Sequence, residues 1–257
     1  MTTATLNVEH FSSVIPTDAN RFSSGIDELD WLYGHNPINK RFGIPRKVMT
    51  LLAGSAGIGK TRFTMTLVKS VLRSGLRVLY FTCEMPKGTF KHQYCKNVEQ
   101  TAEFYISEER DLNAQVQIID HVNPDLVIVD SVNRIKQYNS SQRSIDLIEQ
   151  TYRREIERSD SHVIFIGHLN AQGGVKGGTY LPHMVDIVFA VRKWMANFIE
   201  VACDDKNRYG QTGKSTKWAH EDHGVECRSD RRFDDKAWKK GKRRVITRAR
   251  RKLLGLR

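Results

Sequence analysis

The chain has 257 residues, 39% hydrophobic and 27% charged, with a formal net charge of +12. That length suits one large α/β domain with a substantial core. No apolar run approaches the roughly 20 residues that cross a bilayer, so no membrane partner is expected. Cys83, Cys95, Cys203 and Cys227 lie far apart with no CxxC pair, which argues against a zinc ribbon or disulfide framework and fits a reducing, cytoplasmic compartment. Residues 228–257 carry fourteen Lys or Arg against three Asp, so +11 of the net charge sits in the last thirty residues. A basic tail on a near-neutral body suits a polyanion; a solvated tail or a targeting signal is the alternative reading.

In chain order, residues 1–20 are polar and weakly patterned, an arm or linker without the basic-then-apolar order of a secretory signal. From Val48 the order reads as strand, glycine turn, helix, strand: "VMTLLA", a helix from Gly59 to about Arg73, then "RVLYFT". "AQVQIID" and "PDLVIVD" are two further short apolar runs. "SQRSIDLIEQTYRREIER" places Ile145, Ile148, Tyr152 and Ile156 along one helical face. "HVIFIGH" is a further buried-strand candidate. Strands alternating with helices imply an α/β fold with a mainly parallel twisted sheet flanked by helices. After about Asp186, "IVFAVRK", "FIEVACD" and "STKWAHE" read as antiparallel strands continuing that sheet. There is no internal repeat. The expected organisation is an arm at 1–20, a core at 21–227 and a basic tail at 228–257.

The densest chemistry lies in "GSAGIGKT". Gly54, Gly59, Lys60 and Thr61 fill G-x-x-x-x-G-K-[ST] between a strand and a helix, the context this motif needs. The loop Gly54, Ser55, Ala56, Gly57, Ile58 and Gly59, with Lys60, Thr61 and Arg62, is the candidate nucleotide site. Glycines let backbone N–H groups turn toward phosphate oxygens, and the helix N-terminus adds its dipole. Lys60 would reach the β- and γ-phosphates of ATP, and the Thr61 hydroxyl would ligate Mg²⁺. Asp130 ends an apolar strand and would bind Mg²⁺ through water. Glu84, just past the strand after the loop helix, is the candidate for orienting and deprotonating the attacking water. Its rival reading is a helix-start acid favoured by the dipole. "HEDH" at 220–223 offers no identifiable third metal ligand and reads as a solvated turn.

Together these residues resemble the RecA-like ATPase superfamily, in the branch of RadA (Sms) and the DnaB-type helicases. "RFSSGIDELDWLYG" at 21–34 and "GHLNAQGGVKGGTYLPHMVD" at 167–186 are similar to RadA segments, and "CEMP" is closer to the DnaB form. "KNRYGQTG" at 206–213 begins like the RadA signature and keeps the K-x-R-x-G-x-T-G spacing of DnaB-type helicases. The resemblance implies a RecA-like P-loop NTPase fold in which Arg208 is a trans-acting arginine finger and Lys206 a second cation. A solvated hairpin turn is the alternative for that stretch. It also implies that His168 senses the γ-phosphate and passes its state to the loop after it, with Gly173, Gly174, Lys176 and Gly177 facing DNA. Arg134, Lys136 and Tyr138 would line a second loop, suited to backbone tracking and base stacking on a single strand.

The resemblance covers roughly residues 21–216. The zinc module and Lon-like domain of RadA and the N-terminal domain of DnaB have no counterpart, so a reduced motor core is expected, such as a virus or mobile element encodes. The partners it implies are single-stranded DNA, further copies in a homo-oligomeric hexameric ring, and recombination or replication proteins. A KaiC-like nucleotide-controlled switch, a RecA-like recombinase filament and a non-enzymatic accessory factor are the rival readings.

Overall fold

The computed structural model describes residues 20–36, 38–139, 141–169, 180–195, 197–221 and 224–227. Residues 1–19 of the expected arm, the glycine loop with Gly173, Gly174, Lys176 and Gly177, His223 and the basic tail lie outside the described residues.

A short β1 (Arg21–Phe22) pairs with β2 (Ile44–Pro45) around helix α1 (Asp27–Tyr33). The main body then runs β3 (Val48–Gly54), α2 (Lys60–Arg73), β4 (Val78–Thr82), α3 (Lys87–Tyr94), β5 (Phe104–Ser107), α4 (Leu112–Val122), β6 (Leu126–Asp130), α5 (Gln142–Ser159) and β7 (His162–His168). It closes with α6 (Tyr180–Met184), β8 (Ile187–Met195), β9 (Phe198–Cys203), β10 (Lys214–Glu221) and β11 (Gly224–Cys227). Nine strands form one sheet in the order β11-β10-β9-β8-β3-β7-β6-β4-β5. All pairings from β8 to β5 are parallel, and those from β8 to β11 are antiparallel. "IVFAVRK" is therefore the last parallel strand as well as the first partner of the antiparallel set.

β3, β4 and β6 are buried at every position, which explains why they read as continuous apolar runs rather than alternating ones. Their side chains still alternate in direction. Leu52, Tyr80, Ile128 and Ile166 join the layer under α1 and α2. Leu51, Phe81, Val129 and Phe165 join the layer under α4 and α5, with Ile145, Ile148, Tyr152 and Ile156 of α5 as expected. "AQVQIID" belongs to α4. Asp111 caps that helix by accepting from the Asn113 and Ala114 N–H groups, and Leu112, Gln115 and Ile119 are buried at helical spacing. The edge strand beside β4 is β5, whose residues are only partly buried and so carry a weak apolar signal.

No helix among the described residues is long and apolar enough to cross a membrane.

Candidate nucleotide site

Because β4, β6, β7 and β3 are neighbours and parallel, their carboxyl ends converge on one edge of the sheet. Each strand delivers one chemical group there. β3 ends at Gly54 and opens into the glycine loop, which closes at Gly59 with φ +103°, the cap of α2. No side chain caps that helix, and its first turn holds no acid. Its leading N–H groups and positive dipole end are thus left for an anion. An added Cβ at Gly54 would meet the Val191 carbonyl at 2.8 Å, so strand packing requires glycine there. At Gly59 it would meet His220 Cε1 at 2.6 Å.

Lys60 is 5% exposed. Its ammonium donates to the Gly54 and Ser55 carbonyls at 2.7 and 2.8 Å and lies 3.4 Å from His168 Nδ1. Burial pulls its pKa below the ordinary value, against the opposing charges of Asp130 and Glu84. Thr61 Oγ1 donates to Asp130 Oδ2 at 2.9 Å, and the buried Tyr80 hydroxyl donates to the same oxygen at 2.8 Å. Burial raises the Asp130 pKa, and the two hydrogen bonds oppose it. A threonine hydroxyl and a carboxylate meeting beside an uncapped helix end are hard oxygen donors, which fit Mg²⁺ beside a phosphate.

Glu84 lies between β4 and α3. Its Oε1 accepts from Ser131 Oγ at 2.6 Å and is 2.8 Å from His168 Nε2, with Arg134 Nε at 3.8 Å. Burial raises the Glu84 pKa, but the hydrogen bonds from Ser131 and His168, with the nearby Arg134 charge, hold it below its ordinary value. The contacts of His168 fit a neutral ring that accepts at Nδ1 from Lys60 and donates from Nε2–H to Glu84. Lys60, His168 and Glu84 thus form a continuous polar chain.

Two sets of expected residues lie differently. Arg134 ends a short 3-10 turn (Val132–Arg134) just past β6 and is exposed, as is Lys136. Tyr138 is half-buried against the core under α5, which leaves less of its ring for base stacking. Lys206 and Arg208 are on the opposite edge of the sheet. Arg208 NH1 donates to Asp186 Oδ1 at 3.0 Å, and Lys206 Nζ donates to the Pro182 and His183 carbonyls at 3.0 and 3.1 Å. Asp186 precedes β8, whereas Gly54 pairs with Val191. Five residues of strand rise, about 16 Å, separate them.

Sequence reasoning missed Ser131, Tyr80 and the Asp186–Arg153 pair. The turn reading of "HEDH" holds less well for His220, which the "STKWAHE" reading places in a strand: it belongs to β10 and its ring lies beside Gly59. Nothing in local spacing marks these contacts; each residue reaches its partner through strand pairing or a helix crossing.

A glycine loop after β3 with a lysine opening α2, a carboxylate at the tip of β6 and a second one past β4 define a P-loop ATPase built on a RecA-like sheet. The chain belongs to the AAA_25 family, described as an AAA domain, whose model matches residues 8–174. It is 26% identical over 228 residues to the DNA repair protein RadA of Mycolicibacterium smegmatis, covering 85% of this chain and 47% of that protein. It is 28% identical over 212 residues to the DNA repair protein RadA of Aquifex aeolicus, covering 80% of this chain and 46% of that one. The chain therefore spans about half the length of these curated relatives. Among solved structures, an ATPase domain matches with a TM-score of 0.63 at 17% identity, covering 81% of this chain and 92% of that domain. A KaiC-like protein of Pyrococcus horikoshii matches with a TM-score of 0.63 at 16% identity, covering 82% and 100%. At these identities the two structures share the fold.

Proposed function

We propose that this chain is an ATP-driven motor that engages single-stranded DNA, a RadA- or DnaB-like helicase or branch-migration translocase serving recombination, repair or replication. The observation that carries the proposal is the polar chain Lys60–His168–Glu84 beside the Thr61–Asp130 pair. It joins a phosphate-binding cation to a candidate base through one imidazole.

ATP is the substrate. Gly54 to Gly59 and the first N–H groups of α2 hold its phosphates, with Lys60 toward the β- and γ-phosphates and Arg62 flanking the loop. Thr61 and, through water, Asp130 would hold Mg²⁺, which supplies neutralising charge to the phosphate oxygens. Glu84 orients a water whose oxygen attacks the γ-phosphorus as its proton passes to the carboxylate. The bond from the γ-phosphorus to the β–γ bridging oxygen breaks, giving ADP and phosphate. His168 touches both Lys60 and Glu84, so it senses whether the γ-phosphate is present.

Arg208 and Lys206 lie on the far edge from this site, out of reach of their own subunit's phosphates. That separation supports a role in trans, on a neighbouring copy in a homo-oligomeric ring, a hexamer in this reading. There a guanidinium stabilises charge developing in phosphoryl transfer. Arg134 and Lys136, with the loop at 170–180 carrying Gly173, Gly174, Lys176 and Gly177, contact the strand in the central channel. The division into arm 1–20, core 21–227 and basic tail 228–257, and a cytoplasmic site of action, belong to the same proposal.

The second reading is a KaiC-like nucleotide-controlled switch, since equal TM-scores to the two neighbours mark a shared fold and do not choose between the two functions. Steady-state ATP hydrolysis with and without single-stranded DNA, for wild type and Arg208→Ala, separates the two. Several-fold stimulation by DNA, with turnover lost in Arg208→Ala while ATP still binds, is the motor result. Turnover indifferent to both DNA and Arg208→Ala is the switch result.

A further inference from the structure

We propose that Ser131 is a positioning residue for Glu84, fixing which carboxylate oxygen takes the proton from the attacking water. This inference rests on the reading of Glu84 as the general base.

Thr82 of β4 pairs with Asp130 of β6, and the Cys83 N–H extends that ladder by donating to the Asp130 carbonyl at 2.8 Å. The next residues on each side, Glu84 and Ser131, are thereby brought side by side past the tips of adjacent strands. Ser131 is then held by the 3-10 turn that follows, its carbonyl accepting from the Arg134 N–H at 2.9 Å.

Ser131 is fully buried, whereas the Glu84 side chain is 34% exposed and that of His168 is 23% exposed. A buried hydroxyl has no water to exchange for its acceptor, so the 2.6 Å bond to Glu84 Oε1 is its way of being satisfied. All three cationic or polar contacts of Glu84, from Ser131, His168 and Arg134, converge on Oε1. Among the described residues none engages Oε2. Oε1 is therefore the anchored oxygen, and Oε2 is the one presented to a water. Ser131 sets the side chain's orientation and keeps it ionised at the acidic end of the working range. The depressed Glu84 pKa agrees, with the Ser131 bond the strongest influence opposing burial.

The test is steady-state hydrolysis by the full chain as a function of ATP concentration and pH, for wild type, Ser131→Ala, Ser131→Thr and Glu84→Gln. Melting temperature and fluorescent-nucleotide binding report on folding and on the phosphate site. In Ser131→Ala we expect kcat to fall about tenfold, the cost of removing one hydrogen bond to a charged group. KM for Mg·ATP stays within about twofold, as it should when no binding interaction is lost. The acid limb of the kcat profile moves up in pH, because the carboxylate has lost a donor. Ser131→Thr, which keeps the hydroxyl, brings kcat and the acid limb back toward wild type. If Glu84→Gln is inactive while Ser131→Ala keeps wild-type kcat and an unmoved acid limb, the assignment of Ser131 is overturned and Glu84 stands. If Glu84→Gln itself turns over like wild type, Glu84 is not the base and both readings fall.

Discussion

Arg208 and Asp186 meet at 3.0 Å on the edge of the sheet opposite the glycine loop. Asp186, whose side chain is 3% exposed, also accepts from Arg153 NH1 at 2.7 Å and from the Met49 N–H at 3.0 Å. One buried carboxylate thus ties the candidate finger, a core helix and the start of β3 together. The finger is held by its own subunit, while the site it is proposed to serve lies on another copy.

That arrangement makes Asp186 a stability residue as well as a guide for Arg208. Breaking a buried ion cluster from one side leaves its partners uncompensated. Asp186→Ala should lower unfolding stability by about 3 kcal/mol in urea titrations. Arg208→Ala, which removes a 59%-exposed partner, should leave the urea midpoint almost unchanged. Equal losses in the two variants would contradict this division of roles.

The two left-handed glycines of the phosphate loop should respond differently to alanine. Gly57 has φ +72° and open space around an added Cβ, so Gly57→Ala costs only the backbone strain, about 1–2 kcal/mol. Gly59 has φ +103°, and its added Cβ would sit 2.6 Å from His220 Cε1. Gly59→Ala must displace that ring as well. We expect nucleotide affinity to fall at least about tenfold further in Gly59→Ala than in Gly57→Ala, with part of the difference recovered in the Gly59→Ala/His220→Ala double variant. Matching affinities in the two single variants would count against the His220 contact.

The loop glycines, Asp130, Glu84 and His168 are legible in the sequence because each ends or directly follows a strand that stands out as a buried apolar run. Parallel pairing then does the rest, bringing the tips of β3, β7, β6 and β4 to one edge. Ser131 was not legible: its partner is 47 residues away, and only the β4–β6 register makes them neighbours. β5 escaped notice because a half-exposed edge strand carries no strong apolar pattern. The run at 114–120 belongs to a helix, signalled by Asp111 at its cap. The opposite-edge location of Lys206 and Arg208 was likewise invisible in the motif, since it depends on which end of β8 the stretch lies beside.

His162 gives the fold a built-in acid sensitivity. It is fully buried at the start of β7, where Nδ1 faces the Pro45 carbonyl at 2.7 Å and Nε2 faces the Thr50 and Tyr33 hydroxyls. Burial pulls its pKa from 6.5 down to about 4, against the Pro45 carbonyl and Asp186, with Arg21 adding to the depression. The unfolded chain therefore binds this proton more readily than the folded one. Stability from this group is complete above about pH 6.5 and is lost as pH falls toward 4. Urea unfolding should show a loss of about 2 kcal/mol from this residue between neutral pH and pH 5. A His162→Gln variant should lack that part of the pH dependence. An identical dependence in the two proteins would contradict the assignment.

The central claim is that each catalytic centre combines Glu84 of one copy with Arg208 of its neighbour. The most direct measurement mixes two inactive variants, Glu84→Gln and Arg208→Ala, and follows ATP hydrolysis with single-stranded DNA present. The account predicts that activity reappears on mixing, because some interfaces then pair an intact Glu84 site with an intact Arg208. If both variants are inactive alone and their mixtures stay inactive at every ratio, while gel filtration shows that mixed oligomers form, Arg208 does not act across subunits and the trans account is wrong.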